Sequence, residues 1–299
     1  MMAALRTSLF LLALALPVAA QEDLHGVVGL RGTAVGYAQK APRDRLVSYG
    51  AFIDLDQRSL FGVSLSFDHD ILDYKTGFQT PQDNVAGGLR FYLPLGEGDG
   101  KLILRGEARH LAYDESATLN RVVNISGMHL GYLSDVHPEL ARFYADAGYI
   151  RSRYDWGLEV RQTSPTLGFG FRDNREWFSL GTDLIQLRGE ALADGTNQTR
   201  SFTATWTHYP VQGQAWKPYS LFLSVMGGER VYGVDADSPV VFNFGDVQTG
   251  RGSLGLTWKR ATGLGFSLEG GSSRFEIRSR TSVASYTNSY LSTSIHFSW

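Results

Sequence analysis

From Gly26 to its last residue, Trp299, the chain is written in a two-residue period. Phe61, Val63, Leu65 and Phe67 alternate with Gly62, Ser64, Ser66 and Asp68, and Phe202, Ala204 and Trp206 alternate with Thr203, Thr205 and Thr207. Leu264, Phe266 and Leu268 alternate in the same way with Gly265, Ser267 and Glu269. A period of two puts one set of side chains on each face of a β-strand. Fourteen segments carry it, near 26–38, 46–56, 59–69, 83–95, 101–113, 122–134, 140–151, 163–172, 177–188, 200–209, 217–229, 249–259, 263–275 and 286–299. Each is about as long as a tilted strand needs to be to cross a bilayer, roughly 9–11 residues or a little more. The sequence therefore predicts an all-β fold.

A sandwich also alternates, so the connections must decide. "QR", "GEGDG", "DVHPE", "DNRE", "PVQGQAW" and "RAT" are short, and each falls between two longer, polar stretches such as "DILDYKTGFQTPQ" and "RVYGVDADSPVVFNFGDVQ". Long and short connections at opposite ends are the asymmetry of a transmembrane antiparallel up-and-down β-barrel of about 14 strands. An even strand number also brings both termini to one end. Four tryptophans support this reading. Trp177, Trp216, Trp258 and Trp299 fall at strand ends on the side of the short turns, where an amphipathic indole girdle belongs.

The first twenty residues have another character. "MMAALRTSLFLLALALPVAA" has one arginine, an apolar run from Leu9 to Leu16, and Val18-Ala19-Ala20 before Gln21. This is the pattern of a secretory signal peptide, expected over 1–20 and leaving a barrel domain at 21–299. The chain has no cysteine, so no disulfide framework is available to it. Its 28 Lys+Arg against 30 Asp+Glu leave no basic excess for a nucleic-acid partner.

The end of the chain, "YLSTSIHFSW", sets Leu291, Thr293, Ile295, Phe297 and Trp299 on one face against Tyr290, Ser292, Ser294, His296 and Ser298. With this closing strand the chain resembles the Gram-negative outer-membrane β-barrel superfamily. The resemblance implies an outer-membrane location with both termini in the periplasm, and lipid around the barrel. It also implies that Leu291, Ile295, Phe297 and Trp299 are read as an assembly signal by the barrel-insertion machinery. Members usually end on phenylalanine, so Trp299 is a variant of that ending.

Three places carry residue types that could do chemistry. Asp68-His69-Asp70 resembles part of an omptin-like protease site, but a second acidic pair is missing. His296 and Ser298 share a face, yet that face is the inner one and lacks a third group to orient the histidine. Asp235 and Asp237 have too few spaced oxygens for a calcium site. The expectation is no catalytic residue, no metal and no cofactor. Charge within the wall belongs inside, because lipid does not tolerate it. Arg90, Arg105, Glu107, Arg109, Arg142, Asp146 and Glu269 are the expected lumen-lining groups. The function expected from them is a passive pore or translocation channel for small solutes, with a slight preference for anions. The alternatives are a structural barrel serving polysaccharide or surface-protein export and, disfavoured, a barrel-embedded hydrolase.

Overall fold

The computed structural model describes residues 24–57, 60–96, 100–116, 119–134, 142–189, 195–210, 218–235, 245–260, 263–279 and 281–299. The segment expected to be a signal peptide lies outside them, as does Trp216. Fourteen strands follow in order: β1 His25–Tyr37, β2 Arg43–Gln57, β3 Phe61–Tyr74, β4 Gln79–Gly96, β5 Gly100–Ser116, β6 Leu119–Leu133, β7 Arg142–Tyr154, β8 Glu159–Phe171, β9 Glu176–Arg188, β10 Gln198–His208, β11 Ser220–Arg230, β12 Val247–Lys259, β13 Leu264–Arg278 and β14 Val283–Ser298. Every strand pairs antiparallel with its sequence neighbours, and β14 pairs with β1 to close the barrel. That seam runs in unbroken register from Val27↔Ser298 to Tyr37↔Asn288, so neither terminal strand keeps an open edge.

Both termini lie on one rim, here the terminal rim. The strict alternation of long and short connections is corrected at the opposite, far rim. There the strands run on into the stretches read as loops, leaving only 75–78 between β3 and β4 and 155–158 between β7 and β8. Conversely, the link from β10 to β11 at the terminal rim spans 209–219. Backbone pairing continues past the apolar belt because a ladder needs no apolar side chains to hold its hydrogen bonds. The asymmetry survives as strand overhang at the far rim.

The side-chain pattern shows where the belt stops. On β8 the outward residues Phe171, Phe169, Leu167 and Pro165 give way to Thr163, Arg161 and Glu159, while the inward row passes from glycine, serine and threonine to the buried Val160. Neighbouring strands invert at the same level: Ile150 on β7 and Ile185 on β9 are buried inside, with Arg151 and Gln186 outside. Below the inversion the exterior is apolar and exposed, as at Met128 (73%) and Leu254 (60%). Above it the interior is apolar and the exterior polar, the pattern of a β-structure standing in water. From Phe171 to Arg161 the outward row advances ten residues. At about 3.3 Å per residue and a tilt of about 40°, that is roughly 25 Å along the axis, the height of an apolar membrane band.

Two clusters fill the interior above the inversion. Leu111, Val123, Ile125, Ile150, Val160, Ile185 and Leu187 pack with Val231 and Val234, and across from them Val35, Leu46, Leu72, Phe275 and Tyr286 form a second group.

Candidate functional site

The lumen below these clusters is polar. It holds a cavity of about 540 Å³ lined by hydroxyls, among them Thr33, Ser164, Thr166, Ser179, Thr203, Thr205 and Ser224, and by charges including Arg105, Asp146, Arg251 and Glu269. That volume is ordinary for a small-molecule site. The hydroxyls also bond to each other across strands, as Thr205 does with Ser224 at 2.9 Å and Thr33 with Ser292 at 2.8 Å.

Alternation directs Arg90, Arg105, Glu107, Arg109, Arg142, Asp146 and Glu269 inward, and the structure draws most of them into networks. Arg90 binds Asp54 and lies 3.5 Å from Asp56, whose other contact is the Tyr92 hydroxyl, donating at 2.7 Å. Arg109 donates to Glu107 at 3.2 Å. His129, which sequence reasoning passed over, sits among Arg105 (3.2 Å), Asp146 (3.1 Å) and Glu107 (3.9 Å). It lies against Gly148, directly opposite it on β7, where any side chain would collide with the ring. The glycine was the available clue. Arg251 donates to Glu269 at 3.1 Å and to the Tyr290 hydroxyl at 2.9 Å, and that hydroxyl donates to Glu269 at 2.6 Å. Arg142 donates to the main-chain oxygen of Ser134 at 3.3 Å. Arg31 and Asp68 add a two-point pair at 2.7 and 2.5 Å.

One segment leaves the wall. After β11 the register shifts between Gly227 and Arg230, and β12 is irregular between Gln248 and Gly250. Bulges of this kind re-aim side chains and bend a strand. Here the chain at Val231–Asp235 turns into the barrel. Gln162 on β8 holds it at two points, accepting from the Val234 N–H at 2.9 Å and donating to the Val234 carbonyl at 2.8 Å. Arg109 donates to the Asp235 carbonyl at 2.8 Å. The Asp235 carboxylate meets Arg230 at 2.5 Å and Arg251 at 3.6 Å. Burial alone would push this carboxyl up, but Arg230, Arg251 and Arg109 together hold it below its ordinary value. Tyr232 adopts a φ of 50°, a conformation an aromatic residue leaves unless its surroundings impose it. Val231–Asp235 therefore forms a cross-piece inside the lumen.

Of the tryptophans expected at the terminal rim, Trp258 stands outside next to Phe266 (5.6 Å between rings) and Trp299 stands outside next to Phe297 (6.3 Å). Trp177 is corrected to the interior. Phe178 and Leu180 take the outer positions of β9, so Trp177 must point inward, and Gly168 and Gly170 make room for its indole. Trp206 supplies an outer indole that was overlooked, donating to Glu176 at 2.8 Å, although its own alternation with Phe202 announced it. Alternation also dismantles the Asp68-His69-Asp70 triplet: Asp68 and Asp70 are buried inside, while His69 bonds Asp83 outside at 2.7 Å. Asp237 lies outside the described residues.

No family model matches the sequence, and no curated protein matches it. Among solved structures it is similar to Pseudomonas aeruginosa OccK11 (OpdR), 13% identical at a TM-score of 0.40 and covering 93% of this chain and 97% of that one. It is also similar to Acinetobacter baumannii OccAB3, at 11%, 0.45, 93% and 100%, and to the outer membrane protein opdK from Pseudomonas aeruginosa, at 13%, 0.41, 93% and 100%. Values this low transfer neither strand number nor solute. The chain's own surface says more. A closed ring of strands in which Leu30, Leu89, Met128, Leu180, Phe202 and Leu254 point outward and stay exposed would aggregate in water, whereas lipid satisfies it. The chain is a closed, membrane-spanning β-barrel protein.

Proposed function

We propose that the barrel is a passive pore for small polar solutes across the outer membrane of a Gram-negative bacterium. The observation that carries this reading is the hydroxyl- and charge-lined cavity enclosed by an apolar-coated wall. Discrete, ohmic single-channel steps in a planar bilayer are the expected result with the purified full-length mature protein. Their absence would end the pore reading.

A slight anion preference is the finer part of the proposal. It is small because Arg90 and Arg109 already face carboxylates, leaving Arg142, which meets a main-chain carbonyl, as the clearest excess. Replacing Arg90, Arg105 and Arg109 by alanine should turn the reversal potential in a salt gradient towards cations, because Asp54, Asp56 and Glu107 lose cationic neighbours. The unfolding temperature should fall in the same variant, since buried carboxylates are left unpaired. A lower unfolding temperature with unchanged selectivity would make these arginines wall filling.

The terminal rim is assigned to the periplasm and the far rim to the exterior. Protease added to intact cells should therefore cut at the exposed β3–β4 turn, 75–78, and spare the β4–β5 turn at 97–99. Cleavage of the β4–β5 turn from outside would reverse the orientation.

A further inference from the structure

The exterior just above the apolar belt is not uniform. On β7–β10 it carries five outward arginines, Arg151, Arg153, Arg161, Arg188 and Arg200, and one outward carboxylate, Glu159. Register arranges them in rungs. Arg153, Glu159 and Arg188 stand side by side on β7, β8 and β9. One step closer to the belt, Arg151 faces Arg161, which faces Gln186 and, through it, Gln198. Arg200 lies one step lower still, opposite Leu184 and next to Phe202 of the belt. Four strands about 4.8 Å apart make the patch roughly 14 Å wide.

Glu159 pairs with Arg151 and with Arg161, at 2.6 Å in the latter case. Arg153, Arg188 and Arg200 make no ion pair or hydrogen bond with a described residue, and all three are exposed. Elsewhere on this rim Arg45 pairs with Asp73 and Arg278 with Glu229 and Glu276, while Arg274 stands singly without an ion pair to a described residue. Solubility alone asks for charges of mixed sign, as those other strands show. A one-signed cluster at the height of a lipid headgroup asks for an anion there. Guanidinium groups fit phosphate oxygens in paired hydrogen bonds, and neighbouring arginines on a rigid sheet are already positioned for them.

We propose that the β7–β10 face is a binding site for the phosphate groups of a phosphorylated glycolipid in the leaflet at the far rim. Which leaflet this is rests on the orientation proposed above, but the binding test does not. The wild-type mature barrel, in a zwitterionic detergent, is incubated with bis-phosphorylated lipid A and bound lipid is counted by native mass spectrometry. Lipid A should remain bound, dephosphorylated lipid A should not, and raising the salt concentration should weaken retention. Arg153→Gln/Arg188→Gln/Arg200→Gln should weaken it at least tenfold while single-channel conductance and the heat-modifiable gel shift of the folded barrel stay as in wild type. Arg274→Gln, on the same rim but off the patch, should bind normally. Should the triple variant not fold, Arg188→Gln with the salt titration carries the same test. Equal retention of the dephosphorylated lipid, unchanged binding in the variants, or displacement by equimolar inorganic phosphate would overturn the site. A barrel that binds lipid A but does not conduct would instead count against the pore alone.

Discussion

The double variant Gln162→Ala/Asp235→Ala should multiply the single-channel conductance several-fold and turn a slight anion preference into a clear one. Both effects follow from the cross-piece at Val231–Asp235. Gln162 holds it by two hydrogen bonds, and Asp235 holds it through Arg230, Arg251 and Arg109. Each buried hydrogen bond whose partner is removed costs about 1–3 kcal/mol. Tyr232, at a φ of 50°, adds about 1–3 kcal/mol of backbone strain that the tethers now oppose. With both side chains gone, the Arg109 bond to the main-chain carbonyl of residue 235 and the packing of Val231 and Val234 against Ile150, Val160 and Ile185 have to hold the segment against that strain. Electrostatics adds the change in selectivity. Removing the Asp235 carboxylate leaves Arg230 and Arg251 with Asp183 and Glu269 alone, so the lumen gains a net positive charge. Conductance and reversal potential recorded on the same channels check both parts. A wider pore without an anion shift would mean that ions do not pass these arginines. An unchanged pore would mean that the cross-piece stands away from the ion path.

The barrel was legible in the sequence because lipid imposes a simple rule on each strand, and the fourteen segments follow it. Val85, Leu89 and Leu93 outside against Asn84, Gly88 and Arg90 inside could be read from alternation. What could not be read depends on the second solvent. Ile150, Val160 and Ile185 keep the same alternation but point inward, because at their level water has replaced lipid outside. A period of two does not say which phase is the core; only the height of the residue above the belt does. The long connections were overestimated for the same reason, since polar overhangs such as Gln79–Asp83 carry no apolar alternation although they remain paired. Trp177 was placed by its residue type, when the exposed Phe178 beside it fixed the opposite face. The lumen was legible as a set of inward charges, and not as networks. Asp54, Asp68, His129 and Asp183 reach partners one or two strands away and Asp235 reaches its partners from a connection, so sequence distance conceals them.

Deleting Trp299 should abolish most assembly in the outer membrane, while Trp299→Phe should assemble as wild type with an equal or higher unfolding temperature. The last residue closes the seam at its rim. Its N–H donates to the Gly26 carbonyl at 3.1 Å, and the Gly26 N–H donates to its carbonyl at 3.2 Å. Its indole lies over Gly26, which has no Cβ to obstruct it, and next to Phe297. Removing the residue leaves the Gly26 N–H and C=O without partners at the edge of the apolar belt, where each unmet group costs several kcal/mol. It also unpairs the first rung of the seam, ahead of Val27↔Ser298. Phenylalanine keeps both main-chain bonds and an aromatic ring over the glycine. It loses only the indole N–H, which is buried without a hydrogen-bond partner. Gly26→Leu should imitate the deletion, because its side chain would occupy the place of the indole. The gel shift of the folded barrel, scored in cells and after refolding into detergent, separates two accounts of the ending. Failure in both settings means that closure itself needs Trp299. Failure in cells with normal refolding means that Leu291, Ile295, Phe297 and Trp299 act as the signal for insertion, as the resemblance to other barrels implies. Normal assembly in both would leave the aromatic ending without either role.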